Sequence, residues 1–299
     1  MKIAIIGECM VELFDQGDGS FKRTFGGDTL NSAIYLSKCT QNVDCFYITL
    51  LGDDPLSNEM IKFWEDERIK TNFVEQLSNS VPGLYMIQTD DHGERSFLYW
   101  RDNAPAKKLF LTQNKTNLIN KLKGFDWIYF SGISLAILEE EGRETLFELL
   151  KDFRQSGGKV AFDNNYRPKL WEGKDVKANM QRAYENCDIA LPSIDDEFLL
   201  WDDNSLESVK NRLIGFGCGE IVIKRGSDSC IVYKDGKNYE YEIEPITNIV
   251  DTTAAGDSFN GAYLSQRLEG ASIEDSIKLA SKVAGQVIAQ KGAIVPINI

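Results

Sequence analysis

A chain of 299 residues, 42% of them apolar, can bury a sizeable core in one large or two modest domains. Its 46 acidic and 33 basic residues give a net charge of -13, and no Lys/Arg-rich block stands out, which argues against nucleic acid as the main partner. No stretch reaches the ~18 uninterrupted apolar residues of a membrane span. The first residues, Met-Lys-Ile-Ala-Ile-Ile-Gly-Glu, read as a strand and not as a signal peptide. The six cysteines form no C-x-x-C pair and the only histidine is His92. Zinc binding and Ser-His-Asp hydrolysis therefore lack candidates. The scattered thiols suit a reduced, cytoplasmic protein.

In chain order, short apolar runs at 2–7, 43–51, 126–131, 159–163, 187–191 and 220–224 predict buried strands. Helical patterns cover 28–39, 55–68, 138–155, 175–186, 195–216, 257–269 and 273–290. This alternation predicts an α/β fold: a mostly parallel sheet with helices on both faces. The runs 229–234 and 238–243, split by Lys-Asp-Gly-Lys, read as an antiparallel hairpin at the sheet edge. Segments 10–25 and 83–101 break the rhythm. Each reads as a hairpin outside the main sheet, the second turning at His92, and together they predict a small β-sheet lid inserted in one domain of 1–299.

The chemistry concentrates at predicted strand ends and helix starts. Asp251-Thr-Thr-Ala-Ala-Gly-Asp-Ser-Phe259 puts small residues and Asp257 ahead of an apolar-periodic run. The unpaired N–H groups of a helix start bind anions, and small residues let a phosphate approach. An acid there repels the anion unless it takes the proton of an attacking hydroxyl. A lone Gly-Asp-Ser reads as an N-cap turn; the whole nine-residue string reads as a phosphate site with a base. Phe25-Gly-Gly-Asp-Thr-Leu-Asn31 offers close backbone approach at another helix start, or a glycine hinge before an N-cap Asp28. Tyr85, Tyr99, Arg101 and Arg167 supply two phenols and two guanidinium forks that suit a carboxylate. No G-x-x-x-x-G-K-[ST] occurs, so this is not a P-loop protein.

The 251–259 string resembles the C-terminal signature of the ribokinase-like (PfkB) carbohydrate kinases. That resemblance implies an anion hole at Ala254, Ala255 and Gly256, with Asp257 as catalytic base. The family more often has Gly where Ala254 stands. Gly27 and Asn31 match its sugar-holding element. Blocks from residue 7 to residue 259, including Gly-Glu-Cys-Met-Val-Glu-Leu, Pro-Gly-Leu-Tyr and Phe-Asp-Asn-Asn-Tyr-Arg-Pro-Lys-Leu-Trp, look like the branch that phosphorylates 2-dehydro-3-deoxygluconate. The resemblance implies ATP and Mg²⁺ as cofactors and a sugar acid as substrate. Tyr85, Tyr99, Arg101 and Arg167 would meet its acid end. Asn165, Arg167, Lys224, Gly226, Ser227 and Ser229 would line the nucleotide, with Ala254 and Gly256. Many members carry Asn-x-x-Glu near the metal. Here Ser193-Ile-Asp-Asp196 stands in its place, so Asp196 or its neighbour Glu197 would serve, through water. The family implies a homo-oligomer, with a dimer as the expectation. A neutral-sugar kinase such as a fructokinase, a nucleoside kinase and a non-catalytic sugar- or nucleotide-binding regulator stay open as alternatives.

Overall fold

The structure is a computed structural model and describes residues 1–89, 95–243 and 246–299. Its strands are β1 (Lys2–Ile6), β2 (Met10–Asp15), β3 (Phe21–Gly26), β4 (Asp44–Ile48), β5 (Leu50–Gly52), β6 (Glu75–Leu77), β7 (Leu84–Thr89), β8 (Arg95–Trp100), β9 (Trp127–Ser131), β10 (Lys159–Asp163), β11 (Ile189–Ala190), β12 (Glu220–Ile223), β13 (Cys230–Lys234) and β14 (Lys237–Tyr241). Its helices are α1 (Asp28–Cys39), α2 (Pro55–Asp66), α3 (Lys115–Leu122), α4 (Gly132–Ile137), α5 (Glu140–Gln155), α6 (Val176–Glu185), α7 (Ile194–Trp201), α8 (Leu206–Gly215), α9 (Ala255–Leu268) and α10 (Ile273–Ile288).

The main sheet runs β14-β13-β12-β11-β10-β9-β1-β4. It is parallel from β12 to β4, and the expected hairpin forms its antiparallel edge. Strand periodicity sends alternate residues to opposite faces. Ile3 and Ile5 pack with Leu30, Trp64, Leu264 and Val283 of α1, α2, α9 and α10. Ala4 and Ile6 pack with Leu150, Met180 and Leu213 of α5, α6 and α8. Each strand is therefore buried on both sides, which explains its nearly continuous apolar run.

The two interrupting segments join as expected. They form a second sheet, β3-β2-β7-β8, in which β2 and β7 pair in parallel with Val11 opposite Leu84. The His92 turn lies outside the described residues.

Several boundaries differ from the sequence reading. The run 43–51 divides: β4 stays in the main sheet and β5 pairs with β6 in a two-stranded ladder. The pattern at 195–216 is two helices. Asp202 turns left-handed (φ 59°) and the Ser205 hydroxyl caps α8 by accepting the Ser208 N–H at 3.2 Å. Helix α3 escapes a periodicity test because only Leu118 and Leu122 of its eight residues are buried, one turn apart in a helix of two turns. Helix α4, which opens on a Ser131/Ser134 capping box, is too short and too apolar to show a helical period.

Helices α1 and α9 pack closely because Gly261 lacks a side chain. A Cβ there would stand 2.3 Å from the Ser32 carbonyl oxygen and 2.8 Å from the Leu36 nitrogen. This contact brings the two helix starts together. Gly261→Ala is therefore expected to destabilise the protein by roughly 1–3 kcal/mol in denaturant unfolding, the usual cost of overpacking. Gly215→Ala in α8, with open space around the added Cβ, is the control. It should be neutral or stabilising by up to about 1 kcal/mol.

Candidate active site

Helix α9 begins at Ala255, two residues earlier than its apolar period suggests, so Asp257 sits inside the first turn and is not the N-cap. The N-cap is Ala254, in the left-handed region at φ 60°. Glycine adopts that conformation freely and alanine does so at a cost of about 1 kcal/mol. No side chain caps the helix. The Ala255 N–H turns back to the Thr252 carbonyl at 3.2 Å, which leaves Gly256 and Asp257 as the first-turn donors. Of the stretch 254–256 expected to form an anion hole, Ala255 thus has its N–H engaged within the turn.

Asp257 accepts a hydrogen bond from Asn31 Nδ2 at 2.9 Å, across the α1–α9 contact. The Asn31 Oδ1 atom is buried and has no protein partner. Burial raises the Asp257 carboxyl, and the charges of Asp28 and Asp163 raise it further. Donation from Asn31 and the Lys224 ammonium act the other way, and the balance lies at about 7. Asp28 is likewise pushed up, mainly by burial, while its Oδ2 accepts from Asn165 Nδ2 at 2.8 Å.

Lys224, just past β12, is the cation of this cluster. Its Nζ lies 3.1 Å from both Asp163 Oδ1 and Asn260 Oδ1. Asn260 in turn donates to Asp163 Oδ2 at 2.8 Å. A side chain at Gly256 would come within 3.7 Å of the Lys224 ammonium, so the cation stands beside the α9 donors. Asp163 ends β10 and Lys224 follows β12; both lie at the carboxyl ends of the strands, where open α/β sheets bind ligands. The remaining nucleotide-side candidates form the turn after Lys224. Gly226 (φ 62°) and Ser227 are exposed, and Ser229 accepts from Arg225 and donates to Glu240 at 2.5 Å.

On the sugar side, Gly27 is the α1 N-cap, where Asp28 was the alternative. A Cβ at Gly27 would stand 2.2 Å from the Glu8 carbonyl oxygen, so glycine is demanded by the chain's own backbone. Tyr85 and Tyr99 are opposed in register on one face of the small sheet, with ring centroids 5.8 Å apart. Arg101 lies 5.9 Å above the Tyr99 ring. Burial raises the Tyr99 phenol while Arg101 and Arg167 pull it down, which places both cations around it. Neither cation is unaccompanied. Arg101 pairs with buried Glu8, and Arg167 lies 3.6 Å from Asp196 Oδ2. Tyr85 donates to Glu12, which also accepts from Thr24 at 2.7 Å. Sequence reasoning passed over Glu8, Glu12 and Asn260, and met Asp28 only as an N-cap and Asp163 only as the polar end of a strand. Glu8 and Glu12 stand in the Gly-Glu-Cys-Met-Val-Glu block, and Asp163 opens Asp-Asn-Asn-Tyr-Arg, so position at strand ends was the available signal. A cavity of about 580 Å³ opens beside the site, between Glu12, Phe14 and Thr24 on one side and Lys291–Ile294 on the other; it does not reach Asp257 or Arg101.

Among the possible metal-side carboxylates, Glu197 is fully buried and committed. It accepts from Asn164 at 2.8 Å, from Tyr184 at 2.5 Å and from Arg212 at 2.9 Å. Asp196 is the more accessible and holds the Tyr166 N–H at 3.1 Å. No group of three or more metal-binding side chains occurs among the described residues. The accessible Asp196 carboxylate alone fits Mg²⁺, which keeps several waters and takes one or two carboxylates alongside phosphate oxygens.

No helix among the described residues is long and apolar enough to cross a membrane. The model of the pfkB family carbohydrate kinases matches residues 1–299. The 2-dehydro-3-deoxygluconokinase of Dickeya dadantii (strain 3937) is 45% identical over 303 residues, covering 99% of this chain and 97% of that one. Among solved structures, a 2-dehydro-3-deoxygluconokinase from Thermotoga maritima superposes with a TM-score of 0.82 at 22% identity, covering 99% and 96% of the two chains. An Escherichia coli putative ribokinase II in complex with ATP and Mg²⁺ does so with a TM-score of 0.85 at 21% identity, covering 98% and 94%. With a strand-end cluster built around an acid at a helix start and a family match over its whole length, this chain belongs to the pfkB family carbohydrate kinases.

Proposed function

We propose that this protein transfers the γ-phosphoryl group of ATP to the 6-hydroxyl of 2-dehydro-3-deoxy-D-gluconate. The observation that carries the reading is Asp257: a carboxylate held at about 7, in the first turn of an uncapped helix, with a cation beside it. The identity to sugar-acid kinases supports the substrate.

Asp257 accepts the proton of the 6-hydroxyl as that oxygen bonds to phosphorus and the bond to the ADP oxygen breaks. The N–H groups of Gly256 and Asp257, with the Lys224 ammonium, face the charge that grows on the phosphoryl oxygens. Asn31 orients the base through Nδ2 and leaves Oδ1 for a substrate hydroxyl. Arg101 and Arg167 take the acid end beneath Tyr85 and Tyr99. Asp163 and Asp196 would hold Mg²⁺ through water, where it supplies charge neutralisation on the phosphates. The small sheet acts as the lid that keeps water from the phosphoryl group. It exposes Leu98 and Trp100 on one face and Phe97 and Tyr99 on the other, which supports a dimer formed through this sheet.

The paired state of both guanidinium groups favours a second reading, a neutral-sugar kinase, because Glu8 and Asp196 offset the positive charge. Coupled ADP release with MgATP and either 2-dehydro-3-deoxygluconate or fructose separates the two. Preference for the keto-acid supports the first and preference for fructose the second. A protein that binds these ligands without turnover would be a regulator.

Asp257→Asn should lower kcat by ~10²–10⁴-fold, the usual contribution of a general base, with substrate KM nearly unchanged. Comparable turnover would remove Asp257 as the base. The wild-type profile of kcat/KM should fall as pH drops through about 7, since the base works only when deprotonated. At pH 8 the same variant should melt at a higher temperature than wild type, because it removes one charge from the Asp28–Asp163–Asp257 group. Arg167→Ala should chiefly raise KM for the sugar acid, by about tenfold or more, as expected for a charged hydrogen bond. An unchanged KM would take Arg167 out of the carboxylate site.

A further inference from the structure

Glu8 lies where β1 leaves the main sheet and β2 enters the small one, and Arg101 follows β8, the small sheet's last strand. The two charges meet at the base of that sheet through Arg101 NH2 and Glu8 Oε2. Their side chains are 2% and 11% exposed for Glu8 and Arg101. Gly83 is the close wall: a Cβ there would come within 3.0 Å of Glu8 Oε1 and 3.2 Å of Arg101 Cβ.

The pairing leaves donors and an acceptor over. A guanidinium and a carboxylate normally engage as a two-bond fork. Here one bond is made, and Glu8 Oε1 is buried with no partner. Leaving such an atom unpaired costs stability. In return, the guanidinium is anchored by one corner only. Its Nε and NH1 groups make no hydrogen bond to the described residues, and the guanidinium carbon stands 5.9 Å from the centre of the Tyr99 ring, which is paired in register with Tyr85.

We propose that Glu8 is a positioning residue for substrate recognition: it pins one corner of Arg101 at the base of the small sheet so that the other N–H groups meet the acid end of the sugar. This rests on the sugar-acid reading above. Glu8 touches no reacting atom, and its effect passes through Arg101.

The test is a double-mutant cycle of Glu8→Gln and Arg101→Lys, measuring KM for the sugar and for MgATP together with kcat. Each variant is assayed with 2-dehydro-3-deoxygluconate and with fructose. The expected result is a rise of about tenfold in sugar-acid KM for Glu8→Gln, with MgATP KM and kcat within about threefold of wild type. Once Arg101 is Lys, adding Glu8→Gln should change sugar KM by less than about twofold. Glu8→Asp, which keeps the charge, should recover most of the loss. An unchanged or lower sugar KM in Glu8→Gln would overturn the proposal, as would equal losses in sugar KM, MgATP KM and kcat, or full additivity of the two substitutions. Should Glu8→Gln fold poorly, Glu8→Ala against Arg101→Lys, which also removes the carboxylate, provides the same cycle. A wild-type preference for fructose would defeat the substrate reading instead, and the cycle read on fructose KM would still decide whether Glu8 acts through Arg101.

Discussion

Three carboxylates crowd the carboxyl ends of the main strands, and the fold accepts the repulsion. Asp28, Asp163 and Asp257 come from α1, β10 and α9; the charges of Asp28 and Asp163 raise the Asp257 carboxyl, and that of Asp163 raises Asp28. In a low-dielectric setting such a group is costly unless cations and donors offset it. Lys224 answers Asp163, while Asn165, Asn31 and Asn260 each give an amide hydrogen to one acid. The offset is partial for Asp257, which remains near 7, and an acid so poised can take a proton at neutral pH. The same repulsion suits a site that receives divalent metal, since bound metal charge reverses the local balance.

Backbone approach at three glycines holds this arrangement. Gly261 sets the α1–α9 distance against Ser32, and Gly27 seats the start of α1 against the Glu8 carbonyl. Gly132, after β9, leaves room for the Asn164 carbonyl 1.9 Å from where its Cβ would be. The Gly27 and Gly132 contacts join helix starts to strand-end loops and the Gly261 contact joins helix to helix, so the polar cluster inherits its geometry from backbone packing. Ala254 is the exception, a non-glycine in the left-handed region at the start of α9. Strain of this kind is tolerated where surrounding structure fixes the turn.

The central sheet and its helices were legible because period and burial agree: strands buried on both faces read as apolar runs, and α5 and α10 carry clear polar faces. The strand-end clustering of Asp163, Lys224 and Asp257 followed from the same pattern. What escaped depends on contacts distant in sequence. Nothing local shows that Arg101 will meet Glu8, 93 positions away, or that Asn31 will meet Asp257, 226 positions away. The break at Asp202 escaped for another reason: Phe198, Leu199 and Leu200 continue a helical pattern up to a backbone reversal that Arg212 then braces against Glu197 and Asp203.

The stretch 193–197 shows how the site divides its acids between support and exposure. Glu197 is consumed below the surface, where Asn164, Tyr184 and Arg212 satisfy it. Through Asn164, whose Oδ1 accepts the N–H groups of both Asn165 and Ser193, it fixes the loop that carries Asn165 and Arg167. Asp196, one residue earlier, turns instead to the Tyr166 N–H and Arg167, at the rim of the cluster. A helix turns about 100° per residue, so adjacent acids at its start cannot share one role. The shorter carboxylate therefore stands at the open side, 3.6 Å from the Arg167 guanidinium. Under the proposed function, Arg167 and a metal ion would compete for its charge, and that competition would couple the acid end of the sugar to the phosphate end of the nucleotide.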